Sequence, residues 1–121
     1  MKKYSGIYDL EERTAKLGES IIELCKKIKS STITTPLISQ LIRSGTSIGA
    51  NYLEANGSSS KKDFRNKIFI CKKESQETRH WLRMLKTATV EFNEYIIKLL
   101  QEANKLSMIF NKITQTLDNK N

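Results

Sequence analysis

Apolar residues recur along this chain at alternating intervals of three and four, in four separate stretches. This spacing is typical of helices that turn one face towards a core. It predicts helices over approximately residues 8–29, 36–56, 61–87 and 93–117. Short loops between helices favour antiparallel neighbours. The pattern therefore predicts an all-α fold, a single antiparallel up-down-up-down four-helix bundle that spans residues 1–121.

The breaks between these stretches carry helix start and stop signals. Thr35 and Pro36 predict the start of the second helix, with Thr35 as N-cap and Pro36 in the first helical position. Gly57 predicts its end, since glycine is common just past a helix. Ser60, three residues before Asp63, forms a variant of the capping box and opens the third helix.

The second predicted helix is poor in charge, because Arg43 and Glu54 are the only charged residues between positions 31 and 59. A face of small and amide side chains suits contact with protein better than contact with water. We therefore expect this helix to be buried on both sides, with a second subunit covering its outer face. The residues assigned to this oligomeric or structural polar network are Arg43, Ser47, Asn51, Glu54, Glu74 and Glu77.

Arg43 has no carboxylate within reach on its own helix. Glu54 lies eleven residues further on, which is about 16 Å along a helix axis. A poorly hydrated arginine needs a carboxylate partner. We therefore expect Arg43 to be largely buried and paired with Glu74 or Glu77 of the third helix.

The net charge of +8 is concentrated on the third helix, because residues 60–90 contain nine Lys and Arg against three Asp and Glu. Its cations lie beside the apolar seam in a stripe that includes one aromatic ring. Such a stripe can neutralise phosphates and stack a base, although it can equally be a solvated, lysine-rich surface. The candidate nucleic-acid-binding residues are Lys62, Arg65, Phe69, Lys72, Arg79, Arg83 and Lys86.

Catalytic and metal-binding patterns are weak. Glu77 and His80 match the Glu-x-x-His spacing of di-iron bundles, but such sites need two copies and His80 is the only histidine. Cys71 and His80 fall about 180° apart on one helix, too far for a thiol–imidazole dyad. Gly45 and Gly49 lack the P-loop pattern and instead suit close helix packing. We expect no enzymatic activity, no metal and no cofactor.

Composition also bears on location. No apolar run approaches the roughly 20 residues of a membrane span, and the first residues lack the apolar core of a secretory signal. Cys25 and Cys71 are too few for a disulfide framework. These features predict a cytoplasmic protein with two reduced thiols and no membrane association.

The run from Arg43 to Leu85 resembles the signature of a bacterial four-helix-bundle family, first noted as proteins encoded in intervening sequences of large-subunit ribosomal RNA. That signature is Arg-Ser-x-x-Ser-Ile-x-x-Asn-x-x-Glu, a Gly-Ser loop, Lys-x-Phe, a Glu-x-x-Glu helix of small residues and a closing apolar pair. Cys71 and Lys72 depart from it, since the family more often has small apolar residues there. The matching residues are Arg43, Ser44, Ser47, Ile48, Asn51, Glu54, Gly57, Lys62, Phe64, Glu74, Glu77, Leu82 and Leu85.

The resemblance implies a ring-shaped homopentamer. The chain is also similar to the accessory variability determinant of diversity-generating retroelements, a basic pentameric barrel that binds RNA and a reverse transcriptase. Together with the basic stripe, this predicts a non-enzymatic oligomer that binds nucleic acid, RNA in particular, through its third helix. The alternative is a protein-interaction scaffold or adaptor whose partner is another protein and which has no nucleic-acid role.

Overall fold

The computed structural model describes residues 9–119, within which it contains four helices and no strand. The helices are α1 (Leu10–Lys27), α2 (Thr34–Asn56), α3 (Lys61–Ala88) and α4 (Asn93–Asp118). The fold is all-α, as predicted; the first residue of the predicted first helix, position 8, lies outside the described range. In that range no helix is long and apolar enough to cross a membrane.

Contacts between the helices show that neighbours run antiparallel. Near its middle α2 contacts α3 through Arg43 and Glu77, and near its end through Glu54 and Lys67, which comes earlier in α3. The first turn of α3 in turn meets the last turn of α4. The pairs that fix the remaining directions are Arg65 with Asp118, Glu11 with Asn56, Gly18 with Gly45, Arg13 with Glu102 and Ser20 with Tyr95.

The centre of α2 approaches α1 closely because its residues there are small. A Cβ atom on Gly45 would lie only 2.5 Å from Cδ1 of Ile21, and one on Gly49 would lie 3.2 Å from Oγ1 of Thr14. Any larger residue at Gly45 would therefore displace a buried side chain of α1. These contacts explain why the two glycines recur at a four-residue interval on the same face of α2.

The core lies between all four helices and includes an aromatic contact between α2 and α4. The rings of Tyr52 in α2 and Phe110 in α4 have their centroids 6.1 Å apart in a tilted arrangement. Among the described residues, every fully buried side-chain nitrogen or oxygen has a hydrogen-bond partner. The largest fully buried side chains are Tyr52, Phe110, Leu10, Ile21, Leu24, Leu41, Ile48, Ile68, Leu82, Leu85, Ile96 and Leu106.

The start of α2 differs from the prediction. The helix begins at Thr34, and Thr35 is not its N-cap. The hydroxyl of Ser31 instead accepts a hydrogen bond from the backbone N–H of Thr34 at 3.0 Å. Pro36 lies inside the first turn, where a missing N–H costs little. At α3, by contrast, Ser60 accepts from the backbone N–H of Asp63 at 3.0 Å, as predicted.

Both cysteines are buried inside the bundle as free thiols. The thiol of Cys71 donates to the backbone carbonyl of Ile48 across the α2–α3 interface, with sulfur and oxygen 3.6 Å apart. Burial raises the pKa of Cys25 to about 11 and that of Cys71 to about 12. Because the thiolate is the reactive form, both groups should be chemically inert in the folded protein.

We predict that Ellman's reagent at pH 8 labels the native protein far more slowly than the protein unfolded in guanidinium chloride. Cys71, with the higher pKa, should be the slower of the two in the native state, which single Cys→Ala variants can establish by comparing labelling rates. Rapid labelling of two thiols in the native protein would show that the bundle opens more readily than its packing indicates.

Candidate nucleic-acid interface

The predicted stripe lies on the side of α3 that borders α4, and we call it the basic face. We locate it by first assigning the two other sides of α3, which face the core and α2. Residues such as Ile68 and Leu82 turn into the core, and Glu74 and Glu77 turn towards α2. The members of the basic face are Lys62, Arg65, Phe69, Lys72, Arg79, Arg83 and Lys86.

Most cations of the basic face are not neutralised within the protomer. In the part of the chain that the structure describes, five of them have no carboxylate within salt-bridge distance. Three of the five are exposed and two are half-buried at the flank. Their charge is therefore available to an external anion. These residues are Lys62, Lys72, Arg79, Arg83 and Lys86.

Arg65 differs from the other cations because Asp118 already binds it. Two hydrogen bonds join the side chains, from Nε to Oδ1 at 2.5 Å and from Nη2 to Oδ2 at 3.1 Å. The bonds hold the pKa of the Asp118 carboxyl below its usual range and raise the pKa of Arg65. Arg65, expected from the sequence to contact phosphate with the rest, can do so only by releasing or sharing Asp118.

The α4 surface beside the basic face is uncharged along most of its length. Asn104 and Asn111 precede Asp118 at seven-residue intervals, so they share its side of the helix. Glu102 turns instead towards α1, where it accepts two hydrogen bonds from Arg13 at 2.9 and 3.0 Å. Neither asparagine was assigned a role from the sequence, because only the register of α4 against α3 brings them beside the cations.

Phe69 is a half-exposed aromatic ring set between two cations of the basic face. Its side of α3 faces solvent, and the residue is 50% exposed. The guanidinium of Arg65 lies 5.9 Å from the ring centroid, and Nζ of Lys72 lies 5.5 Å from it. Both distances fall within the range of cation–π attraction. The aromatic residue is therefore combined with positive charge, as the sequence suggested.

The carboxylates predicted for Arg43 are its partners in the structure. Nη1 donates to Glu74 at 3.3 Å, Nη2 donates to Glu77 at 2.5 Å, and Nε donates to Gln40 at 3.2 Å. The hydrogen bond that Arg43 donates to Glu77 is the main cause of its raised pKa. The expectation of a largely buried arginine is wrong for the protomer, because its side chain is 47% exposed at the rim of the α2–α3 interface.

The remaining members of the predicted polar network do not join this cluster. Ser47 donates to the carbonyl of Arg43 at 2.6 Å, and Asn51 donates to the carbonyl of Ser47 at 2.9 Å. Both side chains thus bond to their own helix. Glu54 accepts from Lys67 of α3 at 2.7 Å. The six predicted residues therefore form separate contacts along α2 rather than one connected network.

The structure places the thiol of Cys71 and the imidazole of His80 in different surroundings. Cys71 is buried in the core, whereas His80 is exposed and contacts the edge of the Trp81 ring, with centroids 4.8 Å apart. Within residues 9–119 no group of three or more His, Cys, Asp or Glu side chains is placed to hold a metal ion. The exposed cations of the basic face are therefore the candidate functional feature of the described residues.

Comparison with known proteins places the chain in a family. A family model described as the 23S rRNA-intervening sequence protein matches residues 8–112. A similar solved structure is that of a protein with unknown function from the S23 ribosomal protein family of Bacteroides thetaiotaomicron VPI-5482. It is 28% identical with a TM-score of 0.77, covering 87% of this chain and 97% of that one. No curated protein matches the sequence significantly.

We predict that Arg43→Ala lowers the free energy of unfolding by roughly 1–3 kcal/mol, because it removes a hydrogen-bonded partner of Glu74, whose side chain is only 11% exposed. The half-exposed arginine should keep the loss below the about 3–5 kcal/mol of a fully buried pair. Urea denaturation followed by circular dichroism measures the change.

Lys67→Ala provides a matched control, because it breaks a second α2–α3 ion pair whose carboxylate, Glu54, is exposed. Its effect should be clearly smaller than that of Arg43→Ala, since exposed pairs contribute little. Equal effects of the two variants would show that the Arg43 cluster stabilises the fold no more than an exposed ion pair does.

Proposed function

The chain belongs to the 23S rRNA-intervening sequence protein family, and we propose that it binds nucleic acid, RNA in particular, through the basic face of α3. In this proposal the protein catalyses no reaction and uses no cofactor. The observation that carries it is the set of five cations on one side of α3 that no described carboxylate neutralises. The proposed setting is the cytoplasm, where free thiols stay reduced.

The dimensions of the basic face suit a chain of phosphates. From Lys62 to Lys86 the helix rises about 36 Å, at about 1.5 Å per residue. Arg79 and Arg83 lie one turn apart in its second half and both are exposed. A polyanion lying along this surface would release its counterions as the cations replace them, which favours binding at low salt. We propose RNA as the ligand because the sequence signature resembles that of the accessory variability determinant of diversity-generating retroelements.

We also propose that the protein assembles into a ring-shaped oligomer, five-membered by resemblance, through the side formed by α1 and α2. A shallow groove runs between these two helices, with small residues such as Gly18 and Ala50 along its floor. Ile22 and Leu53 line it while 39% and 58% exposed. Apolar side chains exposed beside small residues favour close contact with another protein surface.

A scaffold or adaptor function is the second candidate, and the same groove favours it. Among the described residues, its border carries the carboxylates of Asp9, Glu11, Glu12 and Glu19 and no lysine or arginine. A protein partner with a basic, partly apolar segment would complement such a groove in charge and shape. In this function the basic face of α3 is only a solvated surface, and replacing its arginines should leave partner binding unchanged.

The RNA proposal predicts that replacing both Arg79 and Arg83 by Gln weakens RNA binding and its salt dependence together. The slope of log affinity against log salt should decrease in magnitude by about 0.7–0.9 for each arginine that contacts a phosphate. Fluorescence anisotropy with a labelled RNA at several salt concentrations measures both quantities. Because neither side chain lies in the core, circular dichroism should show an unchanged fold.

The matched control replaces Lys16 and Lys29 by Gln, which removes two exposed charges from the other side of the bundle. This variant has the same net charge as the arginine variant and should bind RNA almost as well as the native protein. If both variants lose affinity equally, binding reflects net charge rather than the basic face. If the native protein binds no RNA at low salt, the proposal is wrong.

The assembly proposal predicts a closed oligomer at micromolar protein concentration, measured by light scattering or native mass spectrometry. Leu53→Lys should shift the protein to smaller species, because a lysine in the groove would oppose close apolar contact. Met108→Lys changes a comparably exposed residue of α4 and should leave the mass unchanged. A native protein that is monomeric throughout this range would contradict the proposal.

A further inference from the structure

We infer that the basic face selects single-stranded over double-stranded RNA, with an unpaired base stacked on the ring of Phe69. This inference rests on the proposed function and adds the form of the nucleic acid. It begins from an aromatic residue that lies outside the core. The core of α3 is supplied by residues such as Phe64 and Ile68, and Phe69 lies on the solvent side of the same helix.

The surroundings of Phe69 hold the ring at the surface. Arg65 precedes it by one helical turn and is fixed at its far end by Asp118. Lys72 follows by three residues, with its ammonium group 5.5 Å from the ring centroid. Residues three and four apart are neighbours on a helix surface. The ring therefore lies between one cation that is already neutralised and one that has no described carboxylate partner.

This arrangement assigns different tasks to the two cations. Arg65, bound to Asp118, serves to position the ring rather than to neutralise a phosphate. Lys72 is free to contact the phosphate of a nucleotide whose base lies against Phe69. Stacking and phosphate contact would then occur within one helical turn, as in surfaces that bind single strands through aromatic rings and basic grooves.

An exposed aromatic ring can stack on an unpaired base but not on the paired bases of a duplex. Double-stranded RNA presents mainly phosphates and ribose to a protein, and its major groove is too deep and narrow to be read by side chains. A phenylalanine pressed against that surface gains no stacking partner. Unpaired bases offer a flat π-face to any aromatic ring, whatever their sequence. Phe69 should therefore contribute to the binding of single strands only.

The test compares a labelled single-stranded oligoribonucleotide of mixed sequence with the blunt duplex of the same sequence, by fluorescence anisotropy at fixed salt. Phe69→Leu keeps an apolar side chain but removes the π-face. It should weaken single-strand binding by about 5- to 150-fold, the range expected for one stacked base, and leave duplex binding unchanged. Phe69→Tyr should retain single-strand affinity.

Ile33→Ala is the matched control, because it alters an exposed apolar residue that precedes α2 and is not part of the basic face, and it should change neither affinity. If the native protein binds single strands and Phe69→Leu binds them equally well, the stacking inference is wrong while the proposed function stands. The same conclusion follows if Phe69→Leu weakens single strands and duplex to the same extent. Failure of the native protein to bind either RNA would instead overturn the proposed function.

Discussion

The close packing of α2 between α1 and α3 is the constraint on which the rest of the structure depends. On one side, a Cβ atom on Gly45 would clash with Ile21 of α1, and one on Gly49 would press against Thr14. On the other, the hydroxyl of Thr78 donates to Ser44 at 3.1 Å inside the interface with α3. A helix so tightly flanked has little room for long charged side chains. On the two sides that meet α1 and α3, its sparse charge is thus a consequence of packing density, whereas its outer side, with Ala50 and Leu53, is uncharged although exposed.

The contact between α2 and α3 fixes which side of α3 faces α2. As a result, the carboxylates and the cations of α3 lie on opposite sides of the helix. Glu74 and Glu77 face α2, where Arg43 bonds to both carboxylates. The cations must then fall on the opposite flank, towards α4. There Asp118 is the only carboxylate that pairs with the basic face among the described residues, and it binds Arg65. The carboxylates on the α2 side of α3 are paired with Arg43, whereas most cations on the α4 side have no described carboxylate partner.

The proposed binding and assembly surfaces lie on different sides of the bundle. The basic face borders α4, and the groove with exposed Leu53 runs between α1 and α2. Assembly through the groove would therefore leave the basic face open. A ring would also repeat that face in every subunit, so that modest contacts with one long RNA could add up through high effective concentration. The two proposals are compatible, yet each has a variant that tests it separately.

Helical periodicity in the sequence was sufficient to predict four helices, and α3 spans 61–88 where 61–87 was expected. The pairing of Arg43 was predictable for a similar local reason, since its own helix offers no carboxylate nearby. Other contacts between distant segments were not predicted. Arg65 and Asp118 are 53 residues apart, and their meeting depends on the register between α3 and α4.

Dependence on packing between helices also explains the other differences between the prediction and the structure. The half-exposure of Arg43 depends on how far the α2–α3 interface extends, and the uncharged neighbours Asn104 and Asn111 depend on which side α4 turns to α3. The cap at Ser31 depends on the path of the loop before α2. Spacing along one helix specifies which residues share a face. Only packing between helices decides what that face meets, because interhelical distance and register are set by side chains from several segments at once.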